Sequence, residues 1–162
     1  MATKQRKRKI VLASGIFDLL HLGHVKFLED AKKAGGKNAK LIVVIARDST
    51  VEKTKGRKPI ISEDQRRMLV ESLKVVDEAV LGCENIDIAK FIENIKPDVI
   101  ALGYDQLEVE RKVSQYVKEH NLEVKVVRIG KFNADELDSS SKIREKVIES
   151  FRRSDLYFPM KK

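Results

Sequence analysis

Lys9-Ile10-Val11-Leu12-Ala13-Ser14 runs directly into Gly15-Ile16-Phe17-Asp18-Leu19-Leu20-His21-Leu22-Gly23-His24, so an apolar run of strand length hands over to the start of an amphipathic helical pattern. Such a junction is a natural phosphate site. The free N–H groups of a first helical turn point at an incoming anion, and the helix dipole favours negative charge there. Gly15 and Gly23 let a ligand approach the backbone closely. His21 and His24, three apart, share one face of the turn, and two imidazoles beside a phosphate site point to phosphoryl or nucleotidyl transfer. A zinc site is the competing reading of the same pair, but zinc needs a third and a fourth ligand, and the chain offers only His120 and Cys83 besides. No residue is therefore assigned as a metal ligand.

Outward from this junction, apolar runs of strand length alternate with helical patterns. Strands are predicted over Ile10 to Ser14, Leu41 to Ala46, Glu78 to Leu81, Asp98 to Leu102 and Val124 to Ile129. Helical stripes are marked by Val25, Leu28 and Ala31, by Met68, Leu69 and Leu73, and by Ile88, Phe91, Ile92 and Ile95. Two further helices are expected over Glu108 to His120 and Lys142 to Phe151. Near-continuous apolar strands that alternate with helices imply a parallel sheet covered on both faces, because right-handed crossovers carry helices over it. The expected fold is α/β: one doubly wound, Rossmann-like domain with a five-stranded parallel sheet, spanning 9–151 between a basic tail over 1–8 and a second tail over 152–162. Ligands in such folds bind at the carboxyl ends of the strands near the switch point, where the Gly15 run lies.

Composition bounds the function. The chain has 162 residues, 42 % of them hydrophobic, which suits one soluble domain with a proper core. The apolar run behind the basic start is too short for a signal or a membrane span, and a single cysteine forms no intramolecular disulfide; a cytoplasmic protein is expected. Cys83 reads as a strand-end packing residue. A net charge of +8 invites a nucleic-acid partner. The excess, however, is concentrated in Lys4 to Lys9, Lys53 to Lys58 and the last residues, without interleaved aromatics. A polyphosphate substrate accounts for the middle cluster equally well, so neither nucleic acid nor membrane is expected as a partner.

Four more segments bear on the site. Asp48 to Lys58 carries Lys53, Lys55, Arg57 and Lys58 around Gly56 and reads as a mobile basic loop, either simply solvated or closing over phosphates. Ser62 and Gln65 form a capping-box pattern at the start of the helix bearing Arg66 and Arg67. Gly103-Tyr104-Asp105-Gln106 suits a tight turn, or an acceptor for a base or ribose at Asp105. Asp138-Ser139-Ser140-Ser141 supplies an N-cap and three hydroxyls at another dipole-positive helix start, for capping or for phosphate.

Taken together, GxFDxxHxGH at the end of the first strand, the basic segment, EDQRRMLVESLKVVDE, and SSSKI resemble the cytidylyltransferase-like nucleotidyltransferase superfamily with its HxGH motif. ARDSTVEKTKGRKPIISEDQRR and LGYDQ are similar to the archaeal FAD synthase branch of it, over nearly the whole chain from Lys9 to Ser150. The glycerol-phosphate cytidylyltransferase pattern has an arginine where this chain has Ala134, with Arg128, Lys131 and Phe132 nearby, so the flavin branch is preferred.

The resemblance implies transfer of AMP from ATP to FMN, giving FAD and pyrophosphate. It implies His21, His24 and Lys55 as catalytic residues. It implies nucleotide contacts at Gly15, Ile16, Phe17, Asp18, His21, Leu22, Gly23, His24, Arg57, Arg66, Asp105, Phe132, Ser139, Ser140 and Ser141. Asp18 either orients the loop or receives a donor. A divalent ion, Mg²⁺, would be held through the ATP phosphates, and relatives of this kind are often homodimers, while the sequence itself leaves the oligomeric state open. The alternatives are a glycerol-3-phosphate cytidylyltransferase, or a related CTP-dependent enzyme, and a non-catalytic basic nucleotide- or nucleic-acid-binding module.

Overall fold

The computed structural model describes residues 7–84, 88–132 and 137–153. In chain order the elements are β1 (Ile10–Gly15), α1 (Leu22–Ala34), β2 (Lys40–Ile45), α2 (Asp48–Lys55), α3 (Glu63–Glu71), β3 (Glu78–Leu81), α4 (Ile88–Ile95), β4 (Val99–Gly103), α5 (Leu107–Glu119), β5 (Lys125–Ile129) and α6 (Ser140–Arg153). The five strands form one sheet in the order β3-β2-β1-β4-β5, and every pairing is parallel. β1 is therefore central. The chain winds outward from it to β2 and β3, then returns to lay β4 and β5 on its other side, so the switch point lies between the carboxyl ends of β1 and β4.

The period of two along each strand divides the core. Val11, Ala13, Leu41, Val43, Ile45, Val99 and Ala101 face one side, where Leu28 and Ala31 of α1 and Val70 of α3 cover them. Leu12, Ile42, Val44, Ile100 and Leu102 face the other, under Ile92 of α4 and Val113 of α5. Apolar residues at consecutive positions are what a strand buried on both faces requires. The expected single doubly wound sheet is the observed one, with strand ends within one residue of expectation.

Three local expectations are corrected. The segment read as a mobile loop holds a helix, α2, closed at Gly56 in the left-handed conformation (φ 65°), whose N–H bonds the Glu52 carbonyl at 2.9 Å. α2 was illegible because only Thr50 and Val51 are buried along its eight residues. Met68 and Leu69, expected on the core stripe, are 57 % and 43 % exposed. The inward face of α3 is instead Arg66 and Val70, four apart on one side. The Ser62 side chain makes no cap bond. Asp48 and Glu63 do that work by exchange: the Asp48 N–H donates to the Glu63 carboxylate at 2.6 Å and the Glu63 N–H to the Asp48 carboxylate at 3.3 Å.

Asp77, in the Val76-Asp77-Glu78 block, closes the opposite end of the sheet. Its carboxylate accepts from Lys32 Nζ at 2.6 Å, the Leu41 N–H at 2.8 Å and Arg8 at 3.1 Å. Burial opposes its ionisation, but these donors prevail and hold the carboxyl below its ordinary 3.8. Because the folded value is the lower one, the stability it contributes is present above pH 3.8 and is lost as pH falls through the folded value. Asp77→Asn is expected to lower stability by about 1 kcal/mol at neutral pH, the net worth of partly exposed, charge-assisted bonds from Lys32, Arg8 and the Leu41 N–H. Urea midpoints of the two proteins between pH 3 and pH 7 check this, and a difference that does not shrink at acid pH would count against it.

Candidate active site

The turn after β1 is tightly built. A Cβ on Gly15 would lie 2.7 Å from the Phe17 ring, which folds back over it. Phe17 (φ 55°) and Leu19 (φ 51°) both adopt the left-handed conformation without being glycine, at about 1–2 kcal/mol each. Such strain persists only where surrounding contacts over-determine it. Here Phe17 is buried against the rings of His24 and Phe27. Asp18, between the two strained residues, is 4 % exposed and accepts the N–H groups of Ile60 and Ile61 at 3.1 and 3.0 Å. The question the sequence left open at Asp18 is answered on both sides, since it orients the loop by receiving these donors.

α1 starts immediately beyond. His21 is its N-cap residue and His24 its third helical residue, so both rings lie at the end of β1 over the amides of the first turn. The rings stack with centroids 3.8 Å apart and planes at 25°. The His21 N–H donates to His24 Nδ1 at 3.4 Å, a long contact that leaves Nε2 to carry the proton of a neutral ring. Burial, then the neighbouring His21, pushes His24 down to about 3 against the opposing charge of Asp18. His21 is lowered by burial as well, partly offset by Asp138. At neutral pH the pair is uncharged.

A second helix start closes on the first. Ser139 caps α6, its Oγ accepting the Lys142 N–H at 3.3 Å, and the Ser140 hydroxyl donates to the Asp18 carbonyl. Gly23 makes this approach possible: a Cβ there would lie 2.8 Å from the Asp138 carbonyl oxygen and 3.0 Å from the His21 ring. The N-termini of α1 and α6 thus converge at the carboxyl end of β1, directing unpaired amides at one place.

Arg57 and Arg144 flank that place. Their Nη1 atoms lie 4.0 and 3.7 Å from Asp18 Oδ2, and Arg144 also donates to Ser141 Oγ at 3.1 Å. Arg144 was not among the expected residues; its signal was its position three beyond Ser141 on a helix opened by three serines. Gln106 was also missed. Its Oε1 accepts the Gly103 N–H at 2.6 Å and its Nε2 donates to the Ser14 carbonyl at 3.2 Å, which ties β4 to β1 across the switch point.

Of the other expected residues, Asp105 is exposed at the end of β4, its charge felt by the Tyr104 hydroxyl. Phe132 is exposed beyond β5, and Leu22 is exposed in the first turn of α1. Lys55 is exposed in the last turn of α2. Ile16 offers its carbonyl to Arg66. Ala134 lies outside the described residues.

Arg66 departs from its expected role. It is 0 % exposed, and its guanidinium donates to the carbonyls of Ile16, Ile61 (2.9 Å) and Ala46 (2.8 Å) and to the Asp48 carboxylate (2.6 Å). With its donors so committed and no open surface, it holds the walls of the site together and does not reach into it.

Residues 12–146 match the model of a family described as cytidylyltransferase-like. The chain is 52 % identical over 136 residues to a FAD synthase of Methanothermus fervidus, an overlap of 84 % of this chain and 92 % of that one. It is 48 % identical over 147 residues to a FAD synthase of Aciduliprofundum boonei, covering 91 % and 94 % of the two chains. A crystal structure from Thermoplasma volcanium GSS1, described as a lipopolysaccharide core biosynthesis protein, superposes with a TM-score of 0.69 at 44 % identity, over 77 % of this chain and 98 % of that one. A pantoate-beta-alanine ligase of Francisella tularensis shares the fold, with a TM-score of 0.60 at 16 % identity over 95 % and 74 %.

Proposed function

The chain belongs to the cytidylyltransferase-like family, and from that premise we infer that it is a FAD synthase, transferring AMP from ATP to FMN with release of pyrophosphate. The observation that carries the transfer chemistry is the convergence of two helix N-termini on a stacked, neutral histidine pair. The near-full-length likeness to FAD synthases supports FMN as the acceptor.

The FMN phosphate is already an anionic oxygen nucleophile, so no side chain has to generate it. What remains for the protein is alignment and stabilisation of the charge that spreads over the α-phosphate and the departing pyrophosphate. His24 Nε2–H and the His21 ring donate there, beside the amides of α1 and α6 and the Ser139 and Ser141 region. Arg57 and Arg144 supply fixed positive charge, and Lys55 approaches from α2. Gly15, Ile16, Phe17 and Gly23 contribute backbone and close approach, Leu22 lines the opening, and Asp105 and Phe132 face the adenosine.

Among the described residues no group of three or more His, Cys, Asp or Glu could hold a metal ion. A divalent ion, Mg²⁺, would be held through the triphosphate oxygens and would neutralise triphosphate charge there. No helix among the described residues is long and apolar enough to cross a membrane. We place the protein in the cytoplasm.

Pyrophosphate release with Mg²⁺ tests the reading, with ATP plus FMN compared against CTP plus glycerol 3-phosphate. Turnover of the first pair alone is expected; turnover of the second alone would reassign the acceptor and the base.

The histidine environment makes a pH prediction. Because His24 starts neutral with a value of about 3, no limb of kcat/KM near the ordinary 6.5 should belong to His24, whereas the phosphates of free FMN and ATP titrate in that region in wild type and variant alike. A limb there that disappears in His24→Ala would contradict a neutral donor. Between pH 6.5 and about 3 only the unfolded ring takes up a proton, so stability falls as pH is lowered through that window.

A further inference from the structure

Asp18 is a buried carboxylate placed where an anion is to be bound, and the arrangement around it is asymmetric. Oδ1 accepts from the Ile61 N–H at 3.0 Å, and the Ile60 N–H is shared between Oδ1 and Oδ2 at 3.1 Å to each, so the carboxylate anchors the segment after α2. Oδ2 faces the two arginines, 4.0 Å from Arg57 Nη1 and 3.7 Å from Arg144 Nη1. Charge-assisted hydrogen bonds form at about 2.7–2.9 Å, so neither guanidinium is committed to the carboxylate. Arg144 Nη1 is buried without a hydrogen-bond partner, and the Arg57 side chain is 44 % exposed. Two cations with unused donors are therefore held at arm's length by one fixed negative charge, at the point where α1 and α6 direct their amides.

Resting on the nucleotidyl-transfer reading, we propose that Asp18 is a positioning residue that holds Arg57 and Arg144 as their counter-ion and thereby weakens the grip of the site on pyrophosphate. The physical reason is competition. Two helix starts, two histidines and two arginines without an opposing charge would retain the leaving group as strongly as they bind the triphosphate of ATP. A buried carboxylate that takes the arginines back lowers the affinity for the product. The same residue clamps the strained loop by accepting the Ile60 and Ile61 N–H groups, so one carboxylate serves two purposes.

Asp18→Asn removes the charge and keeps the shape. The amide oxygen can still accept from Ile60 and Ile61, while the NH₂ group facing the arginines carries no charge and gives up only the second branch of the shared Ile60 contact. Calorimetric titration with inorganic pyrophosphate is expected to show binding about tenfold tighter in Asp18→Asn than in the wild type, within the usual range of coupling between linked groups. Its kcat should fall as release slows, and the inhibition constant for pyrophosphate should fall in parallel. A residue that only supports the loop predicts unchanged or weaker pyrophosphate binding in the variant, and either result overturns the proposal.

Should Asp18→Asn not fold, a crystal structure of the wild type with pyrophosphate decides. Both arginines are expected to have moved from Oδ2 onto the ligand, and retention of the 3.7 and 4.0 Å separations would refute the exchange. The titration uses pyrophosphate alone, so it is independent of the acceptor. Tightening in a protein that does not turn over ATP and FMN would unseat the FAD synthase reading and leave this one standing. Turnover without tightening would do the reverse.

Discussion

His24→Ala is expected to lower kcat for FAD formation by about 10²–10³, with a smaller effect on the KM for ATP. The imidazole is neutral, its Nδ1 receives the His21 N–H, and its Nε2–H is thereby left as a fixed donor at the end of β1. Loss of one preorganised donor to developing negative charge costs about 2.7–4 kcal/mol of transition-state stabilisation. The interaction strengthens as charge moves onto the phosphate oxygens, so kcat bears most of the loss. His21→Ala should be comparable. The double variant should fall well short of the product of the two effects, since the rings are stacked at 3.8 Å and orient one another. Single-turnover AMP transfer with thermal melts of each variant makes the check. A rate within tenfold of wild type in a folded His24→Ala protein would remove His24 from the chemistry.

Arg66→Met is expected to produce the largest loss of stability among single substitutions near the site, about 3–5 kcal/mol, the usual consequence of breaking a buried, hydrogen-bonded charge network. The guanidinium joins four places distant in sequence: the Ile16 carbonyl of the β1–α1 loop, Ala46 after β2, Asp48 at the start of α2 and Ile61 before α3. Removing it leaves three carbonyls without their donor and Asp48 without its cation. For a domain whose total stability is of the order of 5–15 kcal/mol, this is a large share. Arg66→Lys should recover only part, because a point charge on a single stem does not span the fork. Urea denaturation measures it. The contact role suggested by family resemblance predicts the opposite pattern, a stable protein with a raised KM for ATP, so the two readings separate cleanly.

The same residue shows where sequence reading stops. Ile42 to Ile45 could only be a strand buried on both faces, since no other element hides four consecutive branched residues. The turn at Gly15 to His24 announced itself through glycines and histidines whose spacing is set by one helical turn. Strand positions, sheet class, the histidine pair and the serine-led helix start were therefore legible, because each depends on residues near one another in sequence. α2 was hidden because tertiary contacts made by Asp48 and Val51 hold it, where an amphipathic stripe would have been readable. Met68 and Leu69 misled because apolar character does not say which side of a short helix packs.

What the sequence by itself determined about this protein is its α/β class, its five parallel strands and the glycine- and histidine-bearing turn after the first of them. What only the tertiary structure decided is which charged groups lie beside that turn. Arg66 and Arg144 both sit on helices, are both basic and are both within reach of the motif. Arg66 lies inside a cage of carbonyls, and Arg144 lies beside Asp18 with an unpartnered Nη1. Burial and partner geometry arise from segments distant in sequence, Ile16, Ala46 and Ile61 around Arg66 and Asp18 beside Arg144, that meet only after folding, and no local pattern encodes them.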